Sequence, residues 1–308
     1  MAAVLQPLKL VEAHVAGRLY HDAWRRWHGD LGWDTAASWA IVEEGRRHGH
    51  VHGAVLRGAA GDVLGWTFYI LNARELQIGG LVADDEPAVR RLLDYVLESR
   101  ECRLARSVSC HLFPSDAILR EVLEARGFQV RRLPYLTRLM TAPVPPADRV
   151  DPDVRPRPMA VIDLVGAVPL FTLAYQGVPH ARCFAPHGRP DEWRHYLAQL
   201  AGTPACGRFL PDMSAALEDC ADGALLGVAI ATELGARTLH LAQIAILPAR
   251  RGHRLADQLL QQVHHQAAAA GFERLTLLVD EDNRSARRLY DRWGFRETAQ
   301  FVFGVRAA

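Results

Sequence analysis

Two stretches of the chain repeat one succession of residues at a constant separation, the offset that lays Gly252 on Asp85 (252 − 85 = 167). At that offset Leu247-Pro248 falls on Gly80-Leu81, Leu259-Leu260 on Leu92-Leu93, and Gly294-Phe295 on Gly127-Phe128. The strand-like RLTLLVDEDN (274–283) falls on SVSCHLFPSD (107–116), and the helix-like SARRLYDRWGF (285–295) on ILREVLEARGF (118–128). One register kept over about fifty residues points to a duplicated domain rather than to chance. A chain of 308 residues has room for two domains of roughly 150 residues, each able to bury its own core.

The break between the copies is TAPVPPADRVDPDVRPRP, residues 141–158. Proline has no N–H to give a helix or a sheet interior, so its six prolines predict a linker or an extended strap. The expected organisation is a first domain over 1–142, a Pro-rich linker over 143–153 and a second domain over 154–308. Apolar periodicity in the second half predicts helices at 159–177 and 190–201. Strands follow at about 214–219, 224–233 and 238–247, with turns at Asp222-Gly223 and Gly235. A helix over 252–270, a strand over 273–279, a helix over 283–293 and a closing strand near 297–304 complete it. The first half reads as strands at 39–44, 51–57, 63–71 and 75–82, helix 87–99, strand 107–112 and helix 116–126. Hairpin strands ahead of a helical crossover give each copy a mixed, mostly antiparallel sheet flanked by helices, an α/β (α+β) class.

Composition excludes more than it selects. The formal net charge of +1 gives no reason to expect nucleic acid as partner. Five cysteines (Cys102, Cys110, Cys183, Cys206, Cys220) form no CxxC pair and leave one over, which predicts reduced thiols. No signal-peptide pattern opens the sequence, and no apolar run reaches the roughly 18–20 residues of a membrane span. The expectation is a cytoplasmic protein with no membrane partner.

Three features carrying chemistry follow one another in the second half. The first is the strand LHLAQIAI (239–246), ending at Leu247-Pro248. The second is Arg250-Arg251-Gly252-His253-Arg254-Leu255-Ala256, opening an amphipathic helix. A tight loop running into a helix presents unpaired N–H groups at the positive end of the helix dipole, and arginines beside it suit a pyrophosphate. A basic helix start on the surface is the plain alternative. The third is the spacing Asn283, Ala286, Tyr290, Gly294, Phe295. Elsewhere, His48, His50 and His52 alternate as if on one strand face, which admits a metal site, although a polar strand face explains them as well.

In order and spacing these three features resemble the GNAT superfamily of acyltransferases, over roughly residues 155–305. The resemblance implies acetyl-CoA as cosubstrate and no metal. Its pyrophosphate would sit on the amides of Arg251, Gly252, His253, Arg254, Leu255 and Ala256. Its pantetheine arm would pair with the backbone of Ile244, Ala245 and Ile246, with Asn283 beside the arm and Tyr290 facing the sulfur. Tyr290 would protonate the leaving thiolate, and the N–H of Ile246 would stabilise the oxyanion. His240 is the first candidate base, expected on the strand face of Ile244 and Ile246, and Glu233 the second. Where the family's loop reads R-G-x-G-x-G/A, Arg254 replaces the middle glycine, a change without backbone cost if that position has helical φ.

At the same offset the first half has Asp84 for Arg251, Asp85 for Gly252, Pro87 for Arg254 and Leu123 for Tyr290. Carboxylates would repel pyrophosphate. The implied protein is a tandem GNAT chain with a degenerate, non-catalytic N-terminal half and an active C-terminal one. It would acetylate an amine of a small molecule or peptide by direct attack in a ternary complex, with residues 175–193 lining the acceptor pocket. The alternative is a non-catalytic acyl-CoA-binding sensor or interaction module. Neither acceptor nor oligomeric state is legible, although two fused halves suit a monomer.

Overall fold

The computed structural model describes residues 3–72, 74–146, 151–178, 181, 184–202 and 207–308. Residues 147–150 of the predicted linker, several positions of the 175–193 segment, Cys183 and Cys206 lie outside that set. The described residues form two units. One comprises Met1–Gly29, Thr35–Pro134 and Ala299–Ala308, the other Asp30–Asp34 and Tyr135–Thr298. The units thus interleave in sequence, whereas a single cut in the linker would have them follow one another.

The first unit contains strand β1 (Val4–Pro7), helices α1 (Ala13–Leu31) and α2 (Ala36–His48), and strands β2 (His52–Arg57), β3 (Val63–Asn72) and β4 (Glu75–Ala83). Helices α3 (Glu86–Leu97) and α4 (Arg100–Leu104), strand β5 (Ser107–Leu112), helix α5 (Ala117–Ala125) and the start of strand β6 (Gln129–Leu139) follow. Its sheet runs β1-β2-β3-β4-β5 and closes on the end of the last strand, where Val302 pairs with Leu112. Only β4 and β5 are parallel. Leu92, Val96 and Leu123 fill one face, while Val15, Tyr20, Trp66 and Phe68 fill the other.

The second unit contains the rest of β6, strand β7 (Val154–Pro158), helices α6 (Asp163–Ala174) and α7 (Pro190–Gly202), and strands β8 (Arg208–Phe209), β9 (Ala215–Asp219), β10 (Leu225–Gly235) and β11 (Thr238–Ile246). Helix α8 (Leu255–Ala269), strand β12 (Arg274–Leu278), helix α9 (Arg284–Arg292) and strand β13 (Arg296–Ala307) complete the chain. Its sheet runs β6-β12-β11-β10-β9-β7, with β8 beside β10 and only β11 and β12 parallel among the paired strands. Helices α8 and α9 cover one face with Leu259, Leu260 and Trp293, and α6 and α7 cover the other with Phe171 and Trp193. The predicted mixed, mostly antiparallel α/β class is what the chain adopts.

Three expectations need correction. Residues 39–44 are helical, inside α2: Glu43 bonds Arg46 and Arg47 one turn on, and Gly49 ends the helix at φ +75°. His48, His50 and His52 therefore share no strand face. His48 closes α2 with Nδ1 on the Glu44 carbonyl, while His52 stands on β2 and stacks on Tyr69. Among the described residues no three His, Cys, Asp or Glu side chains group as metal ligands. The end of the Pro-rich strap is itself a strand: β7 carries Pro156 and Pro158 and pairs only with β9, at a sheet edge where a missing N–H costs nothing. Cys102, Cys110 and Cys220 are free thiols, and no helix among the described residues is long and apolar enough to cross a membrane.

The repeat needs two offsets rather than one. Ser107 and Arg274 correspond at 167 (274 − 107), but their cross-strand partners Glu75 and Thr238 correspond at 163 (238 − 75). Each unit has a bulge at the matching place, leaving Gly79 unpaired in β4 and Ala242 in β11 (242 − 79 = 163). The crossover from this strand to its parallel partner is thus four residues longer in the second unit (167 − 163 = 4).

Candidate active site

The site begins where two strands part. β11 pairs with β10 as far as Ile246, but with β12 only over Thr238–Leu241. Leu247 N–H bonds the Leu226 carbonyl across β10. Alternation along the strand then turns the peptide groups of Ala245 toward β10 and those of Ile244 and Ile246 into the opened wedge. Gly227 lies opposite Ile246, and a Cβ there would come within 2.5 Å of the Ile246 side chain. An exposed strand edge of this kind receives an extended ligand by backbone pairing.

The bulge at Ala242 also decides where His240 points. Leu239 and Leu241 pack on the α8 side, as do Ile244 and Ile246, while Ala242 and Ala245 pack on the α6 side. The extra residue reverses the alternation, so His240 lies on the face opposite Ile244 and Ile246, contrary to the parity of its number. Its ring stacks with Trp33 and Tyr135, and Nδ1 lies 3.0 Å from Thr276 Oγ1. The Thr276 hydroxyl also lies 3.3 Å from the Leu239 carbonyl. Burial pulls the imidazole pKa down to about 3, which keeps it neutral. Glu233 is held in a cross-strand ion pair with Arg208.

After β11 the chain turns through Pro248–Arg250 and enters α8. Gly252 has φ +86°, in open space. Arg254 also stands in the left-handed region, at φ +57° and ψ +21°. The replaced glycine position therefore lacks helical φ, and a side chain there carries a strain of about 1–2 kcal/mol. No side chain caps α8, and the N–H groups of Gly252, His253, Leu255 and Ala256 meet no acceptor among the described residues. These amides stand at the positive end of a 15-residue helix, where unpaired N–H groups and the helix dipole favour negative charge. Arg251 reaches back to the Ala174 carbonyl at the end of α6, and Arg250 faces Asp151 and Asp219.

Helix α9 supplies the third wall. Asn283 caps it, with Oδ1 accepting the Ala286 N–H at 3.1 Å. Gly294 at φ +75° and the Phe295 N–H on the Tyr290 carbonyl close its other end. Tyr290 is only 4 % exposed and its ring meets Phe295 edge-on. Its hydroxyl makes no hydrogen bond among the described residues. Burial pushes the phenol pKa well above its ordinary value, so it stays protonated at any working pH.

One network went unforeseen. Tyr175 at the end of α6 places its hydroxyl 2.8 Å from Gln243 Oε1 and 3.2 Å from the Ile244 carbonyl, and Gln243 Nε2 donates to Tyr196 of α7. Gln243 interrupts an otherwise apolar stretch of strand just after the bulge, which was the available signal.

The first unit keeps the bulge and, in Asp116, a side-chain cap like that of Asn283, but not the open loop or the phenol. Its loop is shorter, and Asp85 caps α3 with its own carboxylate on the Ala88 N–H at 2.8 Å, which occupies the helix end and places negative charge there. The ring of Phe68 lies against Gly79 and Gly80 so closely that a Cβ on either would collide with it. Leu123 takes the place of Tyr290 and is fully buried.

Residues 176–295 match the model of the acetyltransferase (GNAT) family. No curated protein matches the sequence. Among solved structures the chain is similar to a GCN5-related N-acetyltransferase from Sphaerobacter thermophilus, at 16% identity over 99% of this chain and 95% of that one, with a TM-score of 0.67. It is similar over 99% of its length and 98% of the other's to a tandem GNAT protein from the clavulanic acid biosynthesis pathway, described without AcCoA, at 14% identity and a TM-score of 0.63. A glucosamine N-acetyltransferase region of a fungal multi-domain GH3 β-N-acetylglucosaminidase matches 99% of the chain, at 13% identity and a TM-score of 0.64, and the match spans 38% of that protein. At these identities the likeness is one of fold, and it extends over both units.

Proposed function

We propose that this chain, whose residues 176–295 form a GNAT domain, transfers the acetyl group of acetyl-CoA to an amine of a small molecule or peptide. The observation that carries the reading is that an opened strand edge at Ile244 and Ile246 is followed in the chain by an uncapped helix end at residues 252–256. The donor chemistry fits the cosubstrate. Backbone amides suit a pyrophosphate, and an extended edge suits an amide-bearing arm. Arg251, Gly252, His253, Arg254, Leu255 and Ala256 would hold the first, and Ile244, Ala245, Ile246 and Asn283 the second.

In the proposed reaction the amine nitrogen attacks the thioester carbonyl directly. The new C–N bond forms, the C–S bond breaks, and the thiolate takes a proton from Tyr290. A neutral, buried phenol whose hydroxyl bonds no described residue suits that task. The Ile246 N–H, turned into the wedge, would stabilise the oxyanion. His240, held neutral by burial, is the proposed acceptor of the amine proton; its low basicity makes its contribution smaller than that of Tyr290. The first unit, with its self-capped helix and filled bulge, is proposed to be non-catalytic.

The test is release of CoA thiol from acetyl-CoA across a panel of primary amines, including aromatic amines, amino sugars, polyamines and peptide N-termini. Acceptor-dependent thiol release with a matching acetylated product supports the reading. Binding of acetyl-CoA without product from any amine would turn it toward an acyl-CoA-binding module.

A further inference from the structure

Arg138 stands on β6 and is only 1 % exposed, yet among the described residues no carboxylate pairs with its guanidinium. Buried charges are ordinarily paired, because an isolated one is costly to desolvate. Here neutral groups take its N–H donors. Nε donates to the Trp293 carbonyl at 2.7 Å, and Nη1 to the Leu139 carbonyl and His264 Nδ1, each at 3.2 Å. Nη2 donates to the Ala142 and Pro143 carbonyls at 2.7 and 3.1 Å. The guanidinium also lies 5.8 Å from the centre of the Trp293 ring.

The Trp293 carbonyl ends α9, three residues after Tyr290, where the negative end of the helix dipole supplies part of the missing counter-charge. The same tryptophan gives its Nε1–H to Asp257 in the first turn of α8, at 2.9 Å. One buried cation therefore ties the last turn of α9 to β6, to the segment after it and to α8. Among the described residues no hydrogen bond of its own fixes the Tyr290 hydroxyl, so the ring goes where this turn goes.

We infer that Arg138 is a positioning residue for Tyr290: it holds the last turn of α9, and with it the phenol, against the helix that carries the anion-binding loop. The inference rests on the acid role proposed above for Tyr290. It also means that a fragment starting at residue 154, after the linker, would lack a part of the catalytic apparatus.

The experiment is a double-mutant cycle on the full chain, with Arg138→Met, Arg138→Lys, Tyr290→Phe and Arg138→Met/Tyr290→Phe assayed by thiol release. Arg138→Met is expected to lower kcat about 10- to 100-fold with KM for acetyl-CoA within about twofold, and Arg138→Lys to recover part of the loss. The double variant is expected to be scarcely worse than Tyr290→Phe alone. Multiplying losses, or a kcat that Arg138→Met leaves unchanged, would overturn the inference while leaving the acid role intact. A Tyr290→Phe variant with full turnover would overturn the acid role itself. Should Arg138→Met fail to fold, Arg138→Lys alone or with Tyr290→Phe closes the cycle, since it keeps the charge and three donors.

Discussion

Replacing Tyr290 by phenylalanine should separate stability from catalysis. The side chain packs in the core through its ring, and phenylalanine keeps that ring. The hydroxyl bonds no described residue, so the change breaks none of the described intramolecular hydrogen bonds, each of the sort worth about 0.5–1.5 kcal/mol. The expected effect on stability is below about 0.5 kcal/mol, and for a unit of roughly 150–250 residues that is a Tm shift of no more than about 2 °C. If the phenol is the acid, turnover should fall by roughly 10²–10⁴, or about 3–5 kcal/mol of barrier. Acetyl-CoA affinity should scarcely change, because the pyrophosphate amides lie on α8 and not on α9. Thermal unfolding beside steady-state kinetics reads both quantities. A Tm loss of several degrees would mean that the hydroxyl is bonded after all, and unchanged turnover would refute the acid role.

Other perturbations probe neighbouring parts. Asn283→Ala removes the cap of α9 and should cost about 1 kcal/mol by denaturant unfolding, and Asn283→Asp should recover most of it. Arg254→Gly relieves a left-handed non-glycine residue, so acetyl-CoA affinity should hold or rise; a large loss would instead make the Arg254 side chain a phosphate contact. Burial depresses the pKa of His240 from 6.5 to about 3 and that of His264 from 6.5 to about 4. The folded state therefore binds fewer protons than the unfolded chain between these values, so their contribution is full above about pH 6.5 and declines as pH falls through 3–4. His240→Gln should flatten the acid limb of a stability–pH curve, and an unchanged limb would contradict the burial argument.

The site was legible where backbone and spacing carry it. The Gly252 loop, the Asn283 cap and the Gly294-Phe295 helix end lie where their residue types predict, because each type answers a local requirement: positive φ, an orphan N–H, a left-handed terminus. Counting along the strand failed at His240, because a bulge at Ala242 leaves no mark in composition yet reverses every side chain beyond it. A gapless offset failed for the same kind of reason: strands and helices of the two copies align separately, and only the pairing register shows the four added residues. Residues 39–44 passed for a strand because WAIV is apolar and β-branched, while the contacts of Glu43 to Arg46 and Arg47 are helical in spacing. Arg138 looks like any strand arginine in the sequence; its five neutral acceptors converge only in the fold.

The central claim is that acetyl-CoA binds the second unit alone, on the amides of residues 252–256. Calorimetric titration of the full chain with acetyl-CoA, beside a His253→Asp variant, tests it most directly. His253 is exposed, so a carboxylate there leaves the fold alone while repelling phosphate from the helix end. One site per chain, lost in His253→Asp, is the predicted result. Two sites per chain, or one site that His253→Asp leaves intact, would contradict it.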